Sequence, residues 1–164
     1  MHSMMKSIVV GAVLALGMAA AAANAADNPF IGTWKQINAK STSTGTDPWP
    51  KSVTMVFTES DQGVALTTKT TAADGKKSTD VGKPIKWDGA PHAITGDPAV
   101  DAVSAKKLGE RTLEYTFTKA GKTVQSGTGS ISNDGKTMTL TGKVTTPNGE
   151  VYYNLVHNLV QATK

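Results

Sequence analysis

The chain contains no cysteine. That single absence removes a disulfide-stapled scaffold, a thiolate metal site, a cysteine nucleophile and a lipid-anchored cysteine together. Arginine is nearly missing as well, with Arg111 the only one. The balance of 17 Lys+Arg against 13 Asp+Glu leaves a formal charge of +4, and no basic run is longer than Lys76-Lys77 or Lys106-Lys107. A nucleic-acid stripe needs clustered cations, so no nucleic-acid partner is expected. From Asp27 onward no clear amphipathic helix can be traced, which removes the helical fold classes.

What is present begins with a leader. Lys6 closes a short basic start, Ile8 to Met18 run without charge, and Ala23-Asn24-Ala25 gives small-x-small spacing. A membrane span needs about 20 apolar residues, and the weakly apolar Ala19 to Ala23 stretch does not extend the run. The order basic, apolar, small is that of a secretory signal peptide. The expectation is a cleaved segment 1–25 and a single domain over 26–164, located in the periplasm or outside the cell. An exported domain without disulfides is held by its core alone, and one of this size buries enough surface to manage.

The mature chain reads as all-β. Turn signals recur at Asp61-Gln62-Gly63, Asp74-Gly75, Asp88-Gly89, Asn133-Asp134-Gly135 and Pro147-Asn148-Gly149. Between them apolar residues alternate: Val53, Met55 and Phe57; then Leu113, Tyr115 and Phe117 opposite Thr112, Glu114, Thr116 and Thr118; then Met138, Leu140 and Val144 opposite Thr137, Thr139 and Thr141. Eight to ten sequential antiparallel strands form a meander, and closing it into an up-and-down barrel removes the exposed edges. A two-sheet sandwich is the competitor, and only residues 39–51 and 90–98 are long enough to serve as its crossovers. The first of these segments, with Trp49 between Pro48 and Pro50, reads as a loop, and Trp49 is expected to pack over the barrel mouth.

The opening strand carries the strongest landmark, Phe30-Ile31-Gly32-Thr33-Trp34-Lys35. Gly32 permits close approach by a backbone or a ring, and Trp34 is a large rigid plug whose indole N–H needs a partner. Together with Asn28-Pro29, Asn38-Ala39-Lys40-Ser41, Lys86-Trp87-Asp88-Gly89, Thr95-Gly96-Asp97-Pro98 and Ser132-Asn133-Asp134-Gly135-Lys136-Thr137-Met138-Thr139, this resembles the calycin superfamily of lipocalins and fatty-acid-binding proteins. Within it, the chain is most similar to the small bacterial secreted proteins described as lipocalin-like. The resemblance implies a lipocalin or fatty-acid-binding-protein type of barrel with Trp34 as structural plug at the closed end. It departs from those families in three places. No arginine near the C-terminus can stack over Trp34. No Arg-x-Tyr pair is available for a carboxylate, since the last strand offers Val156 and Asn158. Residues 39–51 are too short and too proline-broken for a two-helix lid.

Catalytic chemistry has few candidates. His92 and His157 are far apart in sequence with no metal-type pair near either, so no metal site is expected. Ser130 lacks the Gly-x-Ser-x-Gly spacing, and Gly127-x-Gly129 precedes no helix and is not a phosphate loop. No catalytic residue and no cofactor are assigned, and an enzyme is not expected. His157 remains open, because haem-binding barrels of the nitrobindin type, related in fold, take an axial histidine from this part of the chain. Apolar residues on both faces leave its direction unresolved by alternation.

The leading expectation is a barrel that binds a small, mostly apolar ligand against a wall including Met55, Phe57, Leu113, Tyr115 and Phe117. With Arg111 at a strand end, the polar end of such a ligand meets hydroxyl or amide groups rather than a guanidinium. The second expectation is a protein-interaction or inhibitor-type barrel, or a dimer, through the two-faced last strand. There Tyr152, Asn154 and Val160 lie opposite Tyr153, Leu155 and Leu159. An open interior favours the first reading and a filled one the second.

Overall fold

Short turns return each strand beside the one before it, so the sheet follows the order of the sequence. The computed structural model describes residues 28–161 apart from Gln62, and the expected leader at 1–25 lies outside them. The strands are β1 (Gly32–Gln36), β2 (Thr42–Ser43), β3 (Ser52–Ser60), β4 (Gly63–Thr71), β5 (Lys77–Ile85), β6 (His92–Ala93), β7 (Ala102–Gly109), β8 (Thr112–Lys119), β9 (Lys122–Ile131), β10 (Thr137–Thr146) and β11 (Gly149–Gln161). They form one sheet in the order β5-β4-β3-β1-β11-β10-β9-β8-β7-β6, with β2 paired to β11 off this path. The first strand therefore joins the last, and the meander curls into an antiparallel up-and-down barrel. One seam stays unpaired, between β5 and β6, the two ends of that order. The segment 90–98 leads into the β6–β7 hairpin rather than crossing to a second sheet.

Residues 39–51 are not a plain loop. A 3-10 turn at Asn38–Lys40 is followed by β2, which pairs Thr42 with Asn154 and Ser43 with Tyr153. The reason is a mismatch in length: β1 has five residues and β11 has thirteen, so β1 alone leaves part of β11 as a bare edge. Ser41 joins the two pieces, donating from Oγ to the Ile37 carbonyl at 2.9 Å and accepting the Val156 N–H at 3.0 Å. A single side chain thus meets a backbone donor and a backbone acceptor that the ladder misses.

Inward rows run across the second half of the sheet. Ile131, Met138, His157 and Gln36 are successive cross-strand partners, followed by Gly129, Leu140 and Leu155, then by Gly127, Gly142 and Tyr153. The first of these rows belongs to a filled part of the interior, where Phe30, Trp34, Met138 and His157 are fully buried. Trp34 Nε1 donates to the Phe30 carbonyl at 2.9 Å, so its one polar atom is satisfied inside the core. Gly32, two residues earlier, has φ of 142°, a conformation that favours glycine. Phe30 meets Trp87 edge to face at 5.5 Å, and Lys107 Nζ lies 4.4 Å from the Trp87 ring centre.

Trp49 lies differently. It is 37% exposed, and the loop carrying it is tied down at the Pro50 carbonyl by Asn38 Nδ2 at 2.7 Å. Trp34→Ala is accordingly expected to cost about 3–5 kcal/mol, the range for emptying a large core side chain, and Trp49→Ala much less. Urea melts of the two variants check the order, and equal losses would refute it.

Candidate functional site

The rest of the interior is not filled. A cavity of about 370 Å³ lies between β3, β4 and β5 on one side and β7 to β10 on the other, with residues 94–100 across the seam. Met55, Phe57, Leu113, Tyr115 and Phe117 all line it. They come together because their strands present alternate residues to the same side of one curved sheet. Trp34 is not in this wall; it belongs to the filled part.

Other wall residues were missed by the sequence reading. Gln125 shares a face with Gly127, Gly129 and Ile131, so alternation along β9 would have identified it once Ile131 was placed inward. Asp97 and Ala99 come from a stretch with no period to read, and Val100 lies two residues before β7 begins at Ala102. Thr68 also lines the cavity; a register shift between Leu66 and Thr68 in the β4–β5 pairing accompanies it. Asp80 and Ala99 are exposed while Ile85, Val103 and Leu113 are buried, which puts the mouth at the seam. Among the described residues no lysine, arginine or histidine lines the cavity, whereas Asp80 and Asp97 do. Asp97 Oδ1 accepts the Ala99 N–H at 2.8 Å.

One polar cluster stands against the apolar wall. The Tyr115 and Tyr153 hydroxyls are 2.7 Å apart, and Gln125 Nε2 donates to the Tyr153 hydroxyl at 3.0 Å. Glycines on two adjacent strands make the space for it. A Cβ on Gly127 would lie 2.8 Å from the Tyr115 hydroxyl, and one on Gly142 would lie 2.7 Å from that of Tyr153. Both would also strike cross-strand backbone oxygens, so no side chain fits at either position. Burial, with Tyr153 alongside, pushes the Tyr115 pKa upward, and the phenol stays protonated.

His157 points inward but not into the cavity. It is fully buried beside Met138, and neither ring nitrogen has a hydrogen-bond partner. A haem axial ligand needs open space beyond its nitrogen, and this ring lies in the packed part of the interior, so the arrangement does not fit haem. His92 is committed elsewhere: its Nε2 contacts Asp88 Oδ1 at 2.8 Å near the surface and holds the Asp88 carboxyl below its usual range. Among the described residues no group of three or more His, Asp or Glu is placed to hold a metal ion, and no helix is long and apolar enough to cross a membrane. On the outer face of β11, Tyr152 and Val160 are largely exposed.

The buried imidazole makes stability depend on pH. Burial lowers the His157 pKa to about 4 from the ordinary 6.5, against a smaller raising effect of the Leu155 and Met138 backbone. Above pH 6.5 neither folded nor unfolded chain protonates this ring, and its contribution is complete. As pH falls from 6.5 toward 4 the unfolded chain takes the proton and the folded one does not, so stability drops by on the order of 3 kcal/mol. His157→Met is expected to flatten this limb of a urea-melt pH series while keeping neutral-pH stability, because it removes two unpartnered buried nitrogens. An unchanged slope between pH 6.5 and 4 would contradict the assignment.

No family model matches the chain, and no curated protein matches it. Among solved structures it is similar to zebrafish ileal bile acid-binding protein complexed with cholic acid, at 12% identity over 80% of this chain and 99% of that one, with a TM-score of 0.47. Likeness at that level carries no argument, and the barrel rests on the chain's own strand order.

Proposed function

We propose that this protein is an exported, non-catalytic barrel that binds one small, mostly apolar molecule in its interior. The observation that carries the reading is the cavity itself: about 370 Å³, walled by Met55, Phe57, Leu113, Tyr115 and Phe117, and reached through the seam. That volume lies within the range of ligand pockets, and apolar walls with a few placed polar groups are their usual composition. Filled at interior packing density of about 0.74, it holds at most about 270 Å³ of ligand. A molecule of that size is driven in mainly by burial, at about 0.8 kcal/mol per CH₂. With no basic residue among the described residues of the wall, binding is expected to vary little with salt. An interior left open in this way favours the carrier over the interaction barrel, for which the exposed Tyr152 and Val160 are the remaining support.

Titration with a panel of environment-sensitive apolar dyes tests the carrier. Phe117→Ala is expected to weaken saturable binding about ten-fold, a loss of about 1.4 kcal/mol, and Thr145→Ala, an exposed position, to leave it unchanged. Absence of saturable binding, or equal loss in both variants, would reject the carrier in favour of an interaction module.

Export rests on residues 1–25, and the mature chain is expected to begin at Ala26. Mass spectrometry of native material decides this, and an intact Met1 would refute it.

A further inference from the structure

We infer that the ligand is a neutral molecule with a carbonyl oxygen at one end, and that the Tyr115 hydroxyl donates to that oxygen. The inference deepens the carrier reading above and rests on it.

The argument is a count of protons. Tyr115 and Tyr153 bring two hydroxyl protons, and the hydrogen bond between them uses one. Gln125 Nε2 donates to the Tyr153 oxygen, so that oxygen already accepts once. If Tyr153 then donates to Tyr115, the bonds run one way, from amide to phenol to phenol. The unused proton belongs to Tyr115, which lines the cavity. The opposite direction strands the Tyr153 proton on a buried side chain outside the cavity wall. Burial makes an unused polar group costly, so the one-way chain is favoured. It presents an O–H donor to any guest. Gln125, also in the wall, keeps its amide oxygen as a nearby acceptor.

The surroundings narrow the class further. Among the described residues no cation lines the cavity to pair with a carboxylate, and the charged residues placed in its wall, Asp80 and Asp97, are acidic. An anionic guest gains one hydrogen bond there and loses its hydration without an opposite charge. A ketone, aldehyde or ester oxygen loses far less on entry and is matched by a single neutral donor. The Gly127–Gly142 pair shows that the position is built for the phenols, because a Cβ on either strand would collide with the hydroxyl above it.

The test uses three matched fluorophores with the purified protein: 6-propionyl-2-(dimethylamino)naphthalene, its 6-propyl analogue, and 6-(dimethylamino)-2-naphthoate. The ketone is expected to saturate with emission red-shifted relative to its emission in hydrocarbon, the signature of an O–H donor on its carbonyl. Tyr115→Phe is expected to weaken the ketone about five-fold, the scale of one neutral hydrogen bond, to erase the red shift, and to leave the 6-propyl compound unaffected. Tyr153→Phe keeps the red shift, because the donor is Tyr115, and the naphthoate binds weakest of the three. Hydrocarbon-like emission from the bound ketone in the wild-type protein overturns the inference without recourse to any variant. Equal weakening of ketone and propyl compounds by Tyr115→Phe also overturns it, leaving the phenol a packing role and the carrier reading intact. If none of the three saturates, the carrier reading falls and takes the inference with it.

Discussion

The structure depends on one short strand being paired on both sides. β1 has five residues, yet it holds β3 along one edge and β11 along the other, and without it the meander would be an open sheet with its first and last long strands exposed. The same strand carries Trp34, whose indole donates to the Phe30 carbonyl just before the strand begins. Closure and core are thus fixed by the same few residues. Gly32 is what allows this, because its backbone angle lets the chain enter β1 from Phe30 with both aromatic rings inside. The later pieces are accommodations to the shortness of β1: β2 and Ser41 cover the part of β11 that it cannot reach.

The interior is divided by the sizes of side chains along the rows. Where Ile131, Met138 and Trp34 are large, the barrel is packed. Further along, Gly127 and Gly142 contribute no side chains, and the space is taken from either side by two tyrosines that meet at their hydroxyls. Beyond them lies the cavity. Glycine in a strand interior normally weakens it, and here that cost is offset by a pair of aromatic rings lying over the gap. His157 marks the contrast between the two kinds of buried polar group. The phenols and Gln125 are hydrogen-bonded to one another, whereas the imidazole has no partner and is tolerated only as the neutral form.

How much of this was legible depended on period. Leu113, Tyr115 and Phe117 declared their shared face through the threonines and glutamate between them, and strands such as Ser52–Ser60 had bounds set by the turns that flank them. The barrel closure was legible as a count of hairpins. The direction of His157 was not, since β11 carries apolar residues on both faces and only its pairing with Met138 and Gln36 resolves it. The role of Gly127 was hidden for a related reason. From sequence it weakens a strand, and only the neighbouring Gly142 and the two phenols explain it. β2 was invisible because two residues carry no period, and Asp97 because its segment is irregular.

The seam between β5 and β6 has a kinetic meaning. Parting two strands that share ladder hydrogen bonds requires breaking them in sequence, while β5 and β6 share no ladder and the bridge between Asp88 and Lys106, with the Gly89 N–H donating to the Ala105 carbonyl, ties the residues after β5 to β7. The barrel therefore opens most easily there, where residues 94–100 are tied back to the β6–β7 hairpin by backbone bonds such as Ile94 N–H to the Asp101 carbonyl. Exchange between the cavity and solvent is then timed by the breathing of that one segment, on the scale of loop motion.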